Sequence, residues 1–259
     1  IGIPIVPHYL SGIILNQGDR IMIDKMVGKT EVALYGLAYS IGMLVQLFIS
    51  GMNSALTPWM YSKIKKGDIR SMRKVLQLLS IVVVGIAVAL MLISPELVLI
   101  FGSPKYREAV YVIPPVAASV FFIFIYNILS MPQFYYEKTQ FLMAASMAAA
   151  GANVVLNFIF IRLFGYIAAG YTTLACYMLY SVGHYIVSKQ ILVNEGIQEN
   201  LMNPGFLVAC SAFLIGASII CNLIFPYRIL RYAILLASAG LVFWKKELLL
   251  KTMADIRKK

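Results

Sequence analysis

The sequence predicts an all-α fold, a polytopic transmembrane helical bundle of about eight helices, and three observations carry that expectation. Of 259 residues, 61% are hydrophobic and only 13% are charged, about half the charged fraction with which a soluble domain covers its surface. Mean hydropathy is +0.82. The apolar segments, such as 81–93 and 206–220, are continuous runs rather than alternations. In lipid this selects helices over a barrel, because every backbone polar group is then satisfied within its own segment.

A membrane helix needs about 20 apolar residues, and eight segments meet that length approximately: 4–27, 32–61, 74–94, 109–132, 140–163, 167–190, 204–225 and 227–244. Pro4 and Pro7 lie in the first, Pro58 in the second, and Pro114, Pro115 and Pro132 at or near the ends of the fourth. Each removes a backbone donor and can bend its helix, as plain bundle geometry or as a hinge for alternating access. The fifth contains the small-residue run Ala144 to Ala152, read as a packing surface for another helix. After the sixth comes the most polar connector, Asn194 to Pro204, and the last two are joined tightly at Phe225-Pro226-Tyr227-Arg228. The expected organisation is therefore a six-helix unit, 1–192, followed by a helix pair with a basic tail, 193–259. Trp59, Tyr61, Tyr135, Tyr136, Tyr227, Tyr232 and Trp244 mark span ends as an interfacial aromatic belt.

The net charge of +11 has to be read through topology. Assigned to alternate sides, 14 of the 22 Lys and Arg fall on one side, in Lys63 to Lys74, at Lys138 and Lys189, and in Lys245 to Lys259. The positive-inside rule makes that side cytoplasmic, with both termini there. The basic runs then read as topology signals and contacts to anionic membrane lipids, with no nucleic acid partner. Cys176, Cys210 and Cys221 are odd in number and lie within spans, which favours packing over disulfides or metal. The chain opens Ile1-Gly2-Ile3-Pro4, without an initiator Met or a basic n-region, and reads as the continuation of something longer.

Polar residues inside spans identify the candidate site, since a central charge costs about 2.5–3.5 kcal/mol on insertion scales. In the first span, Asn16, Arg20 and Asp24 recur at i, i+4 and i+8 as one stripe, with Asp19 beside it. The stripe should face a bundle interior or a wet cavity. Two readings stay open. In one, Arg20 pairs with Asp24, and Asp19 with a neighbouring helix, merely pinning the bundle. In the other, Arg20 lines a translocation path and attracts an anionic substrate while Asp19 or Asp24 holds it or exchanges an ion, H+ or Na+. His8 can titrate near neutrality or simply pack. Asn53, Asn127, Asn153 and Asn157 are candidate substrate contacts or interhelical amides. Only Asp19 and Asp24 among the 11 acids fall clearly within a span, and no paired-acid, H-E-x-x-H or Walker motif occurs. Catalysis, a catalytic metal and a bound cofactor are accordingly not expected.

The motifs Ile3-Pro4-Ile5-Val6-Pro7-His8-Tyr9-Leu10-Ser11, Asp19-Arg20-Ile21-Met22-Ile23 and Ala33-Leu34-Tyr35-Gly36-Leu37-Ala38-Tyr39 resemble helices seven and eight of bacterial polysaccharide flippases. These form the oligosaccharide flippase branch of the multidrug/oligosaccharidyl-lipid/polysaccharide (MOP) exporter superfamily. Further matches are Asn53 to Pro58, Asn153 to Asn157 and Phe164 to Thr173, where Ala168-Ala169-Gly170 replaces the usual Gly-Ala-Ala order. The resemblance implies a MATE-like C-terminal lobe (helices 7–12) plus helices 13–14, in a bacterial inner membrane. It also implies flipping of an undecaprenyl-pyrophosphate-linked oligosaccharide by alternating access. The implied partners are that substrate, the N-terminal lobe of the same protein and glycan polymerase or assembly proteins. The alternatives are a multidrug or lipid II exporter of the same superfamily and, in a different class, a membrane enzyme of glycan assembly such as a polymerase or ligase. An enzyme of that kind should carry a large outward loop, and the longest here, Pro95 to Glu108, is short.

Overall fold

The computed structural model describes residues 2–244, with side chains between 10 and 240 except those of Asn16 and Ala239. Among the described residues the chain is helical without strands: α1 Gly2–Met26, α2 Lys29–Gly42, α3 Leu44–Lys65, α4 Ile69–Phe101, a 3-10 segment Pro104–Val112, α5 Ile113–Tyr135, α6 Gln140–Phe164, α7 Ile167–Asn194, α8 Pro204–Ile224 and α9 Arg228–Trp244. The side chains of His8 and Asn16 and the basic tail 245–259 lie outside the described residues.

Among the described residues, five segments are long and apolar enough to cross a membrane by length and composition: Lys29–Lys65, Ile69–Phe101, Pro104–Tyr135, Gln140–Phe164 and Pro204–Ile224. The other three expected spans are also helices. They fall short because α1 carries Asp19, Arg20, Asp24 and Lys25, α7 is threaded with hydroxyls, His184 and Lys189, and α9 has 17 residues. The expected second span is two helices, α2 and α3, broken at Met43. Directly before the break, a Cβ on Gly42 would come within 2.7 Å of Val116 Cγ1, so α2 and α5 touch almost backbone to side chain. Gly42→Ala should therefore destabilise by about 1–3 kcal/mol through overpacking, read as a lower Tm in detergent at unchanged helix content.

Local chemistry explains the helix ends. Gly67 at φ +67 turns the chain after α3, and Asp68 caps α4 by accepting from the Ser71 N–H at 3.3 Å. The buried Lys63 ammonium donates to Asp68 at 2.6 Å and to Ser71 at 3.3 Å across that turn. Pro95 does not end α4, although the expected span stopped before it. Pro95 lacks the N–H that would reach the Met91 carbonyl, and the Ser94 hydroxyl donates to that carbonyl at 2.7 Å instead. Gly165 at φ +74 closes α6, and the Asn203 side chain caps α8 through Gly205 and Phe206 N–H.

α5 is the centre of the bundle, buried along most of its length and packed by α7, α4, α3, α8 and α2. α1 packs on α6, and α6 on α7. Alternate loops meet at opposite ends. At one end the α3–α4, α5–α6 and α7–α8 connections are joined by Arg70–Glu199 at 2.6 Å, Arg73 to the Asn200 carbonyl at 2.7 Å and Lys138–Glu195 at 2.8 Å. At the other, Asn222 donates to the Tyr171 hydroxyl at 2.9 Å and Tyr111 packs on Phe225. α8 lies on α4 and α5, and α9 on α4.

A buried carboxylate hub on four helices

Asp19 is buried completely. Its Oδ2 accepts from the Tyr35 hydroxyl at 2.5 Å and from the Thr173 hydroxyl at 2.8 Å, and its Oδ1 from the Asn157 amide at 2.5 Å. The same Asn157 amide donates to Asn153 Oδ1 at 3.1 Å, while the Thr172 hydroxyl donates to Asn157 Oδ1. One carboxylate thus ties α1 to α2, α6 and α7. Asn153 and Asn157 reach it together because residues four apart share a helix face, and Thr173 does so from the second turn of α7, where the adjacent Thr172 holds Asn157 instead.

The energetics define what this hub is. Removing a carboxylate from water costs several kcal/mol even after relaxation, and three hydrogen bonds to a charged group return about 1.5–3 kcal/mol each. The desolvation is therefore largely offset, yet the negative charge is not neutralised: among the described residues no Lys, Arg or His forms an ion pair with Asp19. Tyr35, Thr173 and Asn157 turn O–H and N–H donors toward it, and the Asn153 and Asn157 oxygens accept from Asn157 and Thr172 in a surrounding ring of neutral groups. No group of three or more His, Cys, Asp or Glu able to hold a metal occurs among the described residues.

Arg20 does not join its neighbour. Its NH1 donates to Gln17 at 3.0 Å, its guanidinium carbon lies 5.4 Å from the Tyr39 ring centroid, and its buried Nε has no partner among the described residues. The expected Arg20–Asp24 pair is not formed among the described residues, and Asp24 is exposed near the end of α1. The stripe predicted to face inward is in fact graded. Asp19, 100° around the helix, takes the buried position, because only that direction meets donors from three other helices. Asn53 on α3 and Asn127 on α5 are half-buried and do not hydrogen-bond Asp19; Thr57 and Ser130 hydroxyls donate to their carbonyls. Asn16 and His8 have no described side-chain position.

Sequence reasoning missed Tyr35, Thr172 and Thr173 as site residues. Hydroxyls cost little in an apolar helix and raise no alarm, although all three lie inside the motifs quoted above. It also missed Glu96, read as part of a loop and left out of the intramembrane acids. The carboxylate lies within α4 and holds the buried Arg231 of α9 through two bonds of 2.8 Å, with NH1 also on the Leu92 carbonyl at 2.6 Å and the Tyr232 hydroxyl on Glu96 at 2.9 Å. The expected helix pair with a basic tail thus carries a buried ion pair to α4.

Residues 4–159 match the MatE family. A Haemophilus influenzae protein named for the Lsg locus is 29% identical over 154 residues, 56% of this chain and 37% of that protein. An uncharacterized membrane protein of the same organism is 31% identical over 134 residues, 49% of this chain and 32% of its own length. The chain thus spans about a third of the length of the curated relatives it matches. No solved structure matches it. With more than half its length inside the family match, this helical bundle belongs to the MatE family of membrane transporters.

Proposed function

We propose that the chain is part of an exporter that moves an undecaprenyl-pyrophosphate-linked oligosaccharide across a bacterial inner membrane by alternating access, driven by a monovalent cation, H+ or Na+, exchanged at Asp19. The observation that carries this reading is the separation of two neighbouring charges. Asp19 is enclosed by three hydrogen-bond donors with no counter-charge among the described residues, while Arg20 remains a cation with an unpaired edge and no carboxylate partner among them. A fixed guanidinium within a membrane helix is suited to pyrophosphate oxygens, which it engages by charge-assisted, paired hydrogen bonds. The end of the bundle that gathers Arg70, Arg73 and Lys138 faces the cytoplasm in this scheme, by the excess of Lys and Arg there. The remainder of the transporter supplies the opposite wall of the cavity.

The test is surface-glycan output in a null strain carrying Arg20→Ala in the full-length protein. A hydrogen bond to a charged group is worth about 1.5–3 kcal/mol, so export should fall roughly 10- to 150-fold while membrane insertion is retained. Arg20→Lys keeps the charge without the planar fork and should recover part of it. Wild-type output from Arg20→Ala would overturn the assignment of Arg20 to the substrate.

A further inference from the structure

One face of α2 reaches both charges of the site. Tyr35 and Tyr39 lie four residues apart and so share that face. The Tyr35 hydroxyl donates to Asp19 at 2.5 Å, and the Tyr39 ring lies against the Arg20 guanidinium, with 5.4 Å from the guanidinium carbon to the ring centroid. The two rings touch, their centroids 5.8 Å apart and their planes tilted by 34°. Tyr35 is completely buried and Tyr39 is 6% exposed, so both rings are held in place by packing. Three residues beyond Tyr39, Gly42 anchors the same helix against Val116 of α5.

The other neighbours of Arg20 hold it less firmly. Gln17, which accepts from NH1 at 3.0 Å, is an exposed side chain one turn earlier on the same helix. Gly36 lies beside Nε, where a Cβ would stand 3.9 Å from that nitrogen, and offers no side chain at all. Among the described residues, Tyr39 is therefore the one side chain of another helix with a polar or ring contact to the guanidinium. The geometry of that contact matters. A ring takes the flat face of a guanidinium, whereas phosphate oxygens take the N–H donors in its plane, so the two do not compete. A ring on one face fixes the plane in which the edge donors point. Without it, a long side chain regains rotamer freedom that has to be lost again when an anion binds.

We propose that Tyr39 is the positioning residue of Arg20, its ring face fixing the guanidinium plane in which the substrate's pyrophosphate oxygens are bound. This rests on the assignment of Arg20 to that substrate. Tyr35 packs on the same ring and is itself hydrogen-bonded to Asp19, so α2 also sets the register between the cation and the carboxylate.

The experiment reads surface-glycan output in the null strain, normalised to the amount of full-length protein in the membrane, with phenylalanine and its mono-, di- and trifluorinated analogues in place of Tyr39. Fluorine withdraws charge from the ring face with little change of shape, so it weakens the cation contact and leaves packing in place. Tyr39→Phe should keep most of the output. The trifluorinated ring should lower it by about 2- to 30-fold, in steps that follow the fluorine count. With Arg20→Ala in the same chain the series should be flat, because a residue acting through Arg20 then has nothing to act on. A flat series with Arg20 present, or an equally steep decline without it, overturns the proposal. So does a fall of Tyr39→Phe to the Arg20→Ala level, which assigns the effect to the hydroxyl. In each of these cases a loss of output in Arg20→Ala alone leaves the assignment of Arg20 standing, whereas wild-type output from Arg20→Ala refutes both.

Discussion

Under the proposed coupling, Asp19→Asn will leave the protein folded and inserted and will abolish cation-driven transport. The two side chains are nearly the same size, and the amide oxygen still accepts from the Tyr35 and Thr173 hydroxyls that meet Oδ2 at 2.5 and 2.8 Å. What disappears is the only negative charge in the hub. Losing one partner of a buried charge contact costs about 3–5 kcal/mol, roughly a hundred- to several-thousand-fold in cation affinity. The amide also sets an N–H against the Asn157 amide that donates to Oδ1 at 2.5 Å, so that contact must rearrange. Asp19→Leu should be worse, since it strands donors on three helices and lowers Tm as well as activity. The measurement is transport into vesicles under an imposed cation gradient, with circular dichroism as the folding control. Wild-type transport by Asp19→Asn would remove Asp19 from the coupling scheme.

Arg231→Met will be the most destabilising single substitution in the α8–α9 pair. The guanidinium side chain is 4% exposed and its partner Glu96 27%. The cost should be about 2–4 kcal/mol, toward the low side of the range for breaking buried pairs because Glu96 keeps some contact with solvent. Its signature is a double-mutant cycle. Arg231→Met leaves Glu96 and the Leu92 carbonyl without the cation that binds both, whereas Glu96→Gln with Arg231→Met removes the stranded charge and should recover much of the loss. Detergent melts of the two single variants and the double variant decide it. Additive losses would show that the pair is not coupled and that α9 is held to α4 by apolar packing alone.

The separate fates of Arg20 and Arg231 show how far a sequence can be read. Span positions were legible because lipid imposes one requirement on every residue of a spanning helix, and that requirement is visible in composition. The cost of charge inside a span likewise singled out Asp19 and Arg20, and the four-residue spacing of Asn153 and Asn157 put them on one face. Neither rule says which helix lies opposite. Among the described residues Arg20 is joined to no acid although Asp24 is one turn away, and Arg231 is paired with a glutamate 135 residues distant. Glu96 was invisible because Pro95 reads as a helix end, and only the Ser94 hydroxyl on the Met91 carbonyl lets α4 continue through it.

The sequence by itself therefore determined the solvent, the helical architecture and the few residues whose burial needs a reason, since each follows from the free energy of a side chain in lipid. Tertiary structure alone decided that Asp19 is ringed by hydroxyls and amides with its charge left over, that Arg20 keeps an unpaired edge, and that the Tyr39 ring lies against its guanidinium. Hydrogen bonds act over about 3 Å, and distances on that scale between helices far apart in sequence are set by packing rather than by any local pattern.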